Sequence, residues 1–162
     1  PDAFPILIAG GYGVAALYLL AERSPKTGVL FLGAATAADL LGVRDMEQLG
    51  WTVHAATEDG SAGHHGLATD ALDAWLAGER AGRKIEAFAC GPNGMLKAVG
   101  ERAQKGGWKA WLSMDRHMGC GVGACLTCVQ KIQLSDGGWD RVRVCREGPI
   151  FECRSILWEE KE

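Results

Sequence analysis

The chain has 162 residues, 48% of them hydrophobic and 23% charged, with 23 glycines, six cysteines and a net charge of −3. This is ordinary globular composition, enough for one sizeable core and a small appendage. Lysines and arginines are dispersed and outnumbered by acids, so no nucleic-acid surface is expected. No apolar run reaches the length of a membrane span, and no signal-peptide pattern opens the chain.

Residues 4–9, FPILIA, form a continuous apolar run leading into Gly10-Gly11-Tyr12-Gly13 and then the helical spacing Val14, Leu17, Tyr18, Ala21. A buried parallel strand, a glycine turn and a helix start make a phosphate-binding entry to an α/β domain. Gly11, Gly13 and Ala16 satisfy G-x-G-x-x-A. A dinucleotide site of Rossmann type would place an acid at the end of the second strand. Here that strand, 29–32, runs into Gly33-Ala34-Ala35-Thr36 with no acid before Asp39. Either the ligand is not a dinucleotide or the fold holds it differently, and a plain strand–helix turn is the alternative.

The alternation continues: a helix over 36–49, a strand over 51–56, and a glycine-rich loop, Thr57-Glu58-Asp59-Gly60-Ser61-Ala62-Gly63. A helix over 67–77, a strand over 85–89, the loop Cys90-Gly91-Pro92-Asn93-Gly94, a helix over 95–104 and a strand over 109–113 follow. Three glycine-rich loops thus fall at the carboxyl ends of three strands, the ligand edge of an open parallel sheet. The expectation is a five-stranded parallel nucleotide-binding sheet over 1–113. The candidate cofactor contacts are Gly10, Gly11, Gly13, Thr57, Asp59, Gly60, Ser61, Cys90, Gly91, Pro92 and Asn93. Cys90 is read as a small apolar residue lining the pocket, and His64 and His65 as a solvated loop. No residue is assigned an acid, base or nucleophile role.

Beyond residue 113 the helical periodicity stops and a second unit, 114–162, begins. Cys120, Cys125 and Cys128 are spaced C-x4-C-x2-C among Gly119, Gly121 and Gly123, and Cys145 follows after sixteen residues. That is the plant-type ligand spacing for a 2Fe-2S cluster. Two irons each need two thiolates, so one short loop must converge three sulfurs on a compact core while a fourth arrives from elsewhere. Glycines let the backbone approach the sulfides closely. A zinc site is the first alternative, because Cys125 and Cys128 form a C-x-x-C. Disulfides are the second, although six cysteines of which four suit a metal fit a reducing compartment, and a cytoplasmic location is expected. Segments 129–134 and 139–144 flank Ser135-Asp136-Gly137-Gly138 and read as a hairpin that carries Cys145 back to the loop. Cys153 is left over, with a packing role expected. The apolar tail, Ile150, Phe151, Ile156, Leu157 and Trp158, is either a docking surface or folded onto its own domain.

With these residues laid out, the chain resembles the electron-transfer subunits of the NAD-dependent dihydroorotate dehydrogenases, a branch of the ferredoxin-reductase-like flavoproteins. The carrying motifs are IAGGYGVAAL at 8–17, TEDGSAGHHG at 57–66, ACGPNGMLKAV at 89–99, SMDRHMGCGVGACLTC at 113–128 and VCREGPIF at 144–151. The resemblance implies an oxidoreductase component that uses a 2Fe-2S cluster on Cys120, Cys125, Cys128 and Cys145, together with FAD and NAD. Gly10, Gly11 and Gly13 would lie by the nucleotide phosphates, and Cys90, Gly91 and Pro92 near the nicotinamide. FAD would be held mainly by a β-barrel domain not present in this chain. The partner would be an FMN-containing, dihydroorotate-oxidising subunit of pyrimidine biosynthesis. Arg146-Glu147 stands where the family usually carries an Asp before Gly-Pro, and Asp115 where a Glu is usual. Ala35 sits where phosphate-preferring relatives often have a basic residue, which favours NAD. Rival readings are a subunit of a bifurcating NADH-dependent ferredoxin:NADP reductase or of a sulfide- or hydrogen-metabolising enzyme, and a non-catalytic zinc-binding interaction module.

Overall fold

In the computed structural model, residues 3–78 and 82–158 are described. The first strand, β1 (Phe4–Gly10), lies at the centre of the sheet, and Ile6 to Ala9 are wholly buried. Alternate side chains of β1 serve opposite faces, as the strand period of two requires. Ile6 and Ile8 join a core with Phe31, Leu72, Leu96 and Leu112, while Leu7 and Ala9 join one with Leu17, Leu30, Leu32 and Met46. Burial on both faces is why this segment reads as an unbroken apolar run.

Helix α1 (Gly13–Arg23) and the short α2 (Val43–Gln48) cover one face, α1 through Val14, Leu17 and Ala21. The indole of Trp51 is buried there and donates to the Ala21 carbonyl at 3.3 Å. On the other face lie α3 (Ala68–Gly78), through Ala68, Leu72 and Trp75, and α4 (Asn93–Gly106), through Leu96, Val99 and Ala103. The remaining strands of the sheet are β2 (Val29–Ala34), β3 (Thr52–Thr57), β4 (His64–His65), β5 (Ile85–Cys90), β6 (Lys109–Ser113) and β9 (Ile150–Glu152). Their order is β4-β3-β2-β1-β5-β6-β9.

The five expected strands all form, adjacent and parallel, but among the described residues the sheet has seven. His64 and His65, read as loop, pair with Ala56 and Thr57 as β4, both side chains remaining exposed. At the opposite edge β9, from the tail, pairs antiparallel with β6. The single helix expected over 36–49 is broken into a 3-10 turn (Ala37–Asp39) and α2, because Leu40 is extended and Gly42 takes φ +68°.

The cysteine loop is followed by a two-stranded antiparallel sheet, β7 (Val129–Gln133) and β8 (Trp139–Arg143), and by a single helical turn, α5 (Val144–Glu147). Cys128, Ile132, Val144, Cys153 and Ile156 share the core that Ile6 and Leu112 occupy. Past Cys153 the tail turns back over the hairpin: Ile156 bridges Ile132, the Leu157 N–H donates to the Lys131 carbonyl at 3.0 Å, and the Gln130 amide donates to the Leu157 carbonyl at 3.1 Å. Of the two fates expected for the apolar tail, folding onto its own chain is the one observed, although Ile150 stays exposed.

Candidate nucleotide cavity and cysteine cluster

At the carboxyl edge of the sheet, the loops after β1, β2 and β5 and the start of α3 surround a cavity of about 870 Å³. That is within the range of cofactor pockets, roughly 300–1,000 Å³. Gly10, Gly11, Gly13, Cys90, Gly91, Pro92 and Asn93 all line it. The loops are tied to one another by the backbone: Gly11 N–H donates to the Gly33 carbonyl at 2.8 Å, and the Glu58 and Asp59 N–H groups to Ala34 and Ala35 at 3.1 and 3.2 Å.

Thr57, Asp59, Gly60 and Ser61 are not among the lining residues. Their polar atoms shape the loop beside the cavity instead. The buried Thr57 hydroxyl donates to the Ala62 carbonyl and accepts from its N–H, at 2.8 and 3.0 Å. Asp59 accepts from the Ser61 hydroxyl at 2.6 Å and its N–H at 2.9 Å, bonds that hold its carboxyl below the usual range. The Ser61 oxygen also accepts the Ala37 N–H at 2.7 Å, joining the β3 loop to the β2 loop. The cavity instead takes Glu58 from this loop, and also Asp39, Leu67, Thr69, Met95 and Asp115, which the sequence did not single out as contacts. Asp39 and Asp115 carried a signal, one as the first acid after β2 and the other inside a family motif. Leu67 and Thr69 carried none, since only the β3–α3 crossover brings them there. Burial pushes the Cys90 thiol up from its ordinary value, the Asp115 charge adds to this, and a hydrogen bond to Ser113 opposes it. A neutral thiol suits a lining role better than a nucleophilic one.

From Asp115, five residues of chain lead to Cys120. Arg116 donates to the buried Gln130 side chain, fixing the entry of the cysteine loop against β7. All six cysteines are free thiols. Among the described residues, no three His, Cys, Asp or Glu side chains gather as ligands to a single metal ion. The Cys120 and Cys125 thiols are near enough to influence each other's titration, as are those of Cys128 and Cys145, and Cys145 also feels the Cys120 charge. A binuclear iron core needs two thiolates on each iron, and four thiols so placed fit it.

The surrounding donors favour the thiolate at Cys120 and Cys125. Backbone N–H groups, first that of Cys125 and then that of Val122, hold the Cys120 thiol below its ordinary value; those of Cys125 and Ala124 both lie 3.3 Å from its sulfur. The Thr127 hydroxyl, 3.3 Å from the Cys125 sulfur, and then the Thr127 N–H bring that thiol down to about 6. Cys145 moves up instead, through its contact with Cys128 and then through burial. Around the loop Met118, Val122 and Leu126 are exposed.

Residues 115–157 match the family model described as the iron-sulfur cluster binding domain of dihydroorotate dehydrogenase B. Along most of its length the chain is similar to dihydroorotate dehydrogenase B (NAD(+)) electron transfer subunits. It is 36% identical over 162 residues to that of Geobacillus kaustophilus, with 96% of this chain and 58% of the relative covered. With that of Caldanaerobacter subterraneus the identity is 35%, covering 94% and 59%, and with that of Bacillus caldolyticus 37%, covering 94% and 56%. The chain therefore spans under two thirds of the length of these relatives. It also superimposes, with a TM-score of 0.80 and 29% identity, on a solved chain of an NADH-dependent reduced ferredoxin-NADP oxidoreductase studied for flavin-based electron bifurcation. That match covers 97% of this chain and 55% of the other.

Proposed function

We propose that this relative of the dihydroorotate dehydrogenase B electron transfer subunits is an oxidoreductase component that passes electrons between a 2Fe-2S cluster, FAD and NAD(H). The carrying observation is three thiols spaced C-x4-C-x2-C in a glycine-rich loop, with Cys145 brought in at the end of the β7–β8 hairpin, in a chain that also holds a glycine-lined cavity. When bound, the nicotinamide exchanges a hydride, the cluster single electrons, and the flavin converts between the two.

In this reading residues 1–113 bind the nucleotide and 114–162 the cluster. Gly10, Gly11 and Gly13 present backbone to the phosphates where α1 begins. Cys90, Gly91, Pro92 and Asn93 form the wall beside the nicotinamide. Thr57, Asp59, Gly60 and Ser61 hold the neighbouring loop in shape. The charged residues lining the cavity, among those described, are Asp39, Glu58 and Asp115, all acidic. Carboxylates without a cation repel an added 2′-phosphate, which supports NAD over NADP. FAD is held mainly by a barrel domain outside these residues. The partner is an FMN-containing dihydroorotate dehydrogenase catalytic subunit, and the setting is cytoplasmic pyrimidine biosynthesis. No helix among the described residues is long and apolar enough to cross a membrane.

Metal and sulfide analysis of anaerobically purified protein tests the assignment: about two irons and two acid-labile sulfides per chain are expected, with a visible and EPR spectrum that changes on reduction. One zinc per chain in their place would establish the interaction-module reading. The likeness to the bifurcating reductase chain favours a second reading, a subunit of an enzyme that reduces NADP with ferredoxin and NADH. Co-purification with an FMN subunit and production of orotate separate the first from the second.

A further inference from the structure

Arg143 ends β8, two residues before Cys145, and its guanidinium reaches across to the cysteine loop, where Nη1 donates to the Gly123 carbonyl at 3.0 Å. That carbonyl belongs to the same planar peptide as the Ala124 N–H, and the two point in opposite directions. The Ala124 N–H lies 3.3 Å from the Cys120 sulfur, beside the Cys125 N–H at the same distance. One peptide unit therefore has a cation on its oxygen and a candidate cluster ligand on its hydrogen.

The guanidinium is itself held. Nη2 meets Glu147 Oε1 at 2.7 Å, Nε donates to Oε2 at 3.3 Å, and the Arg143 backbone N–H donates to Oε2 at 2.7 Å. Gly123 is fixed from the other side. It is buried and takes φ +79°, where a residue with a side chain is strained, so glycine suits the turn that aims the carbonyl at Arg143. A charge-assisted bond on a peptide oxygen polarises the unit and strengthens what its N–H donates.

We infer that Arg143 is a positioning residue for the cluster, acting through the Gly123–Ala124 peptide on the Cys120 sulfur and thereby raising the cluster's reduction potential. The inference rests on the assignment of a 2Fe-2S cluster to the four cysteines. Its physical basis is that reduction adds an electron to a core that is already anionic, so hydrogen bonds to ligand sulfurs and nearby positive charge favour the reduced form. Glu147 opposes the second effect by neutralising the guanidinium. The pair consequently makes predictions of opposite sign: losing Arg143 lowers the potential, and losing only the Glu147 charge raises it.

The experiment uses the full chain, purified anaerobically, as wild type, R143Q, R143K and E147Q. Iron and sulfide per chain are measured, and the midpoint is read by EPR-monitored potentiometric titration. Expected are a shift to more negative potential in R143Q, a smaller one in R143K, which keeps the charge but not the fork, and a shift to more positive potential in E147Q. If R143Q fails to retain iron, a positive shift in E147Q still supports the inference. Coincident midpoints in wild type and R143Q at full iron content overturn it. So do shifts of the same sign in R143Q and E147Q, or an unmoved E147Q beside an iron-free R143Q, each of which makes the clamp merely structural. Wild-type protein without iron overturns the cluster assignment itself, a separate outcome visible before any variant is compared.

Discussion

Replacing Gly13 by alanine tests whether the cavity depends on close contact between α1 and the end of β5. A Cβ at Gly13 would sit 2.6 Å from the Cys90 carbonyl carbon, 3.0 Å from the Gly91 nitrogen, and closer still to the Cys90 oxygen. All three are backbone atoms, so no side-chain rotation relieves the overlap. Restoring carbon contacts to about 3.5–4 Å requires the helix start to move by roughly 1 Å. The rest of α1 resists, because Val14, Leu17 and Ala21 are packed into the core. Overpacking of this kind costs about 1–3 kcal/mol, which for a chain of this size corresponds to a melting point lower by roughly 2–12 °C. The same movement withdraws the N–H groups at the helix start from a bound phosphate. Losing one charge-assisted hydrogen bond, about 1.5–3 kcal/mol, should weaken NADH binding at least about tenfold. Thermal unfolding followed by circular dichroism and NADH titration by fluorescence read the two effects. Wild-type stability together with wild-type affinity in Gly13→Ala would refute the reasoning.

The remaining predictions concern residues beyond Ser113. In Cys145→Ser the Cys128 sulfur loses its thiol partner, so iron per chain should fall to well under half the wild-type value under identical anaerobic purification; full iron would remove Cys145 from the ligand set. Ile156 is buried and bridges the hairpin to the main core, so Ile156→Ala should destabilise by about 2–5 kcal/mol, measured by denaturant unfolding; a loss under about 0.5 kcal/mol would mean that the tail contributes little. Burial, with the neighbouring Glu152 charge, pushes the buried Cys153 thiol up to about 11 from an ordinary value of 9.0. The folded state thus binds the proton more tightly than the unfolded state, and the resulting stability is present below pH 9.0 and lost as pH rises towards about 11. Urea midpoints between those limits should fall more steeply for wild type than for Cys153→Ala, and equal slopes would show that this thiol does not titrate with unfolding.

Local signals carried much of this protein. The apolar run at 4–9 had to be a strand covered on both sides, because Ile6 to Ala9 are buried and their odd and even members enter different cores. The cysteine spacing already placed three thiols in one glycine-rich loop and called for a hairpin to return Cys145, and the β7–β8 hairpin forms. The family resemblance was likewise legible in five short motifs, and similarity along most of the chain bears it out. Errors came where one residue overrode a longer pattern. Helical spacing runs smoothly from Ala37 to Leu49, yet Gly42 in the left-handed region breaks it.

What sequence alone determined, then, was everything fixed by short-range chemistry: strand and helix periods, glycine turns at strand ends, and four thiols spaced for a binuclear core. Tertiary structure decided which of those turns share a cavity, that Glu58 rather than Asp59 faces it, that the tail supplies an edge strand, and that Arg143 sits on the peptide that addresses Cys120. The reason is that these depend on chain crossovers that bring residues twenty or more positions apart to within hydrogen-bond distance, and no local periodicity records where a crossover will land.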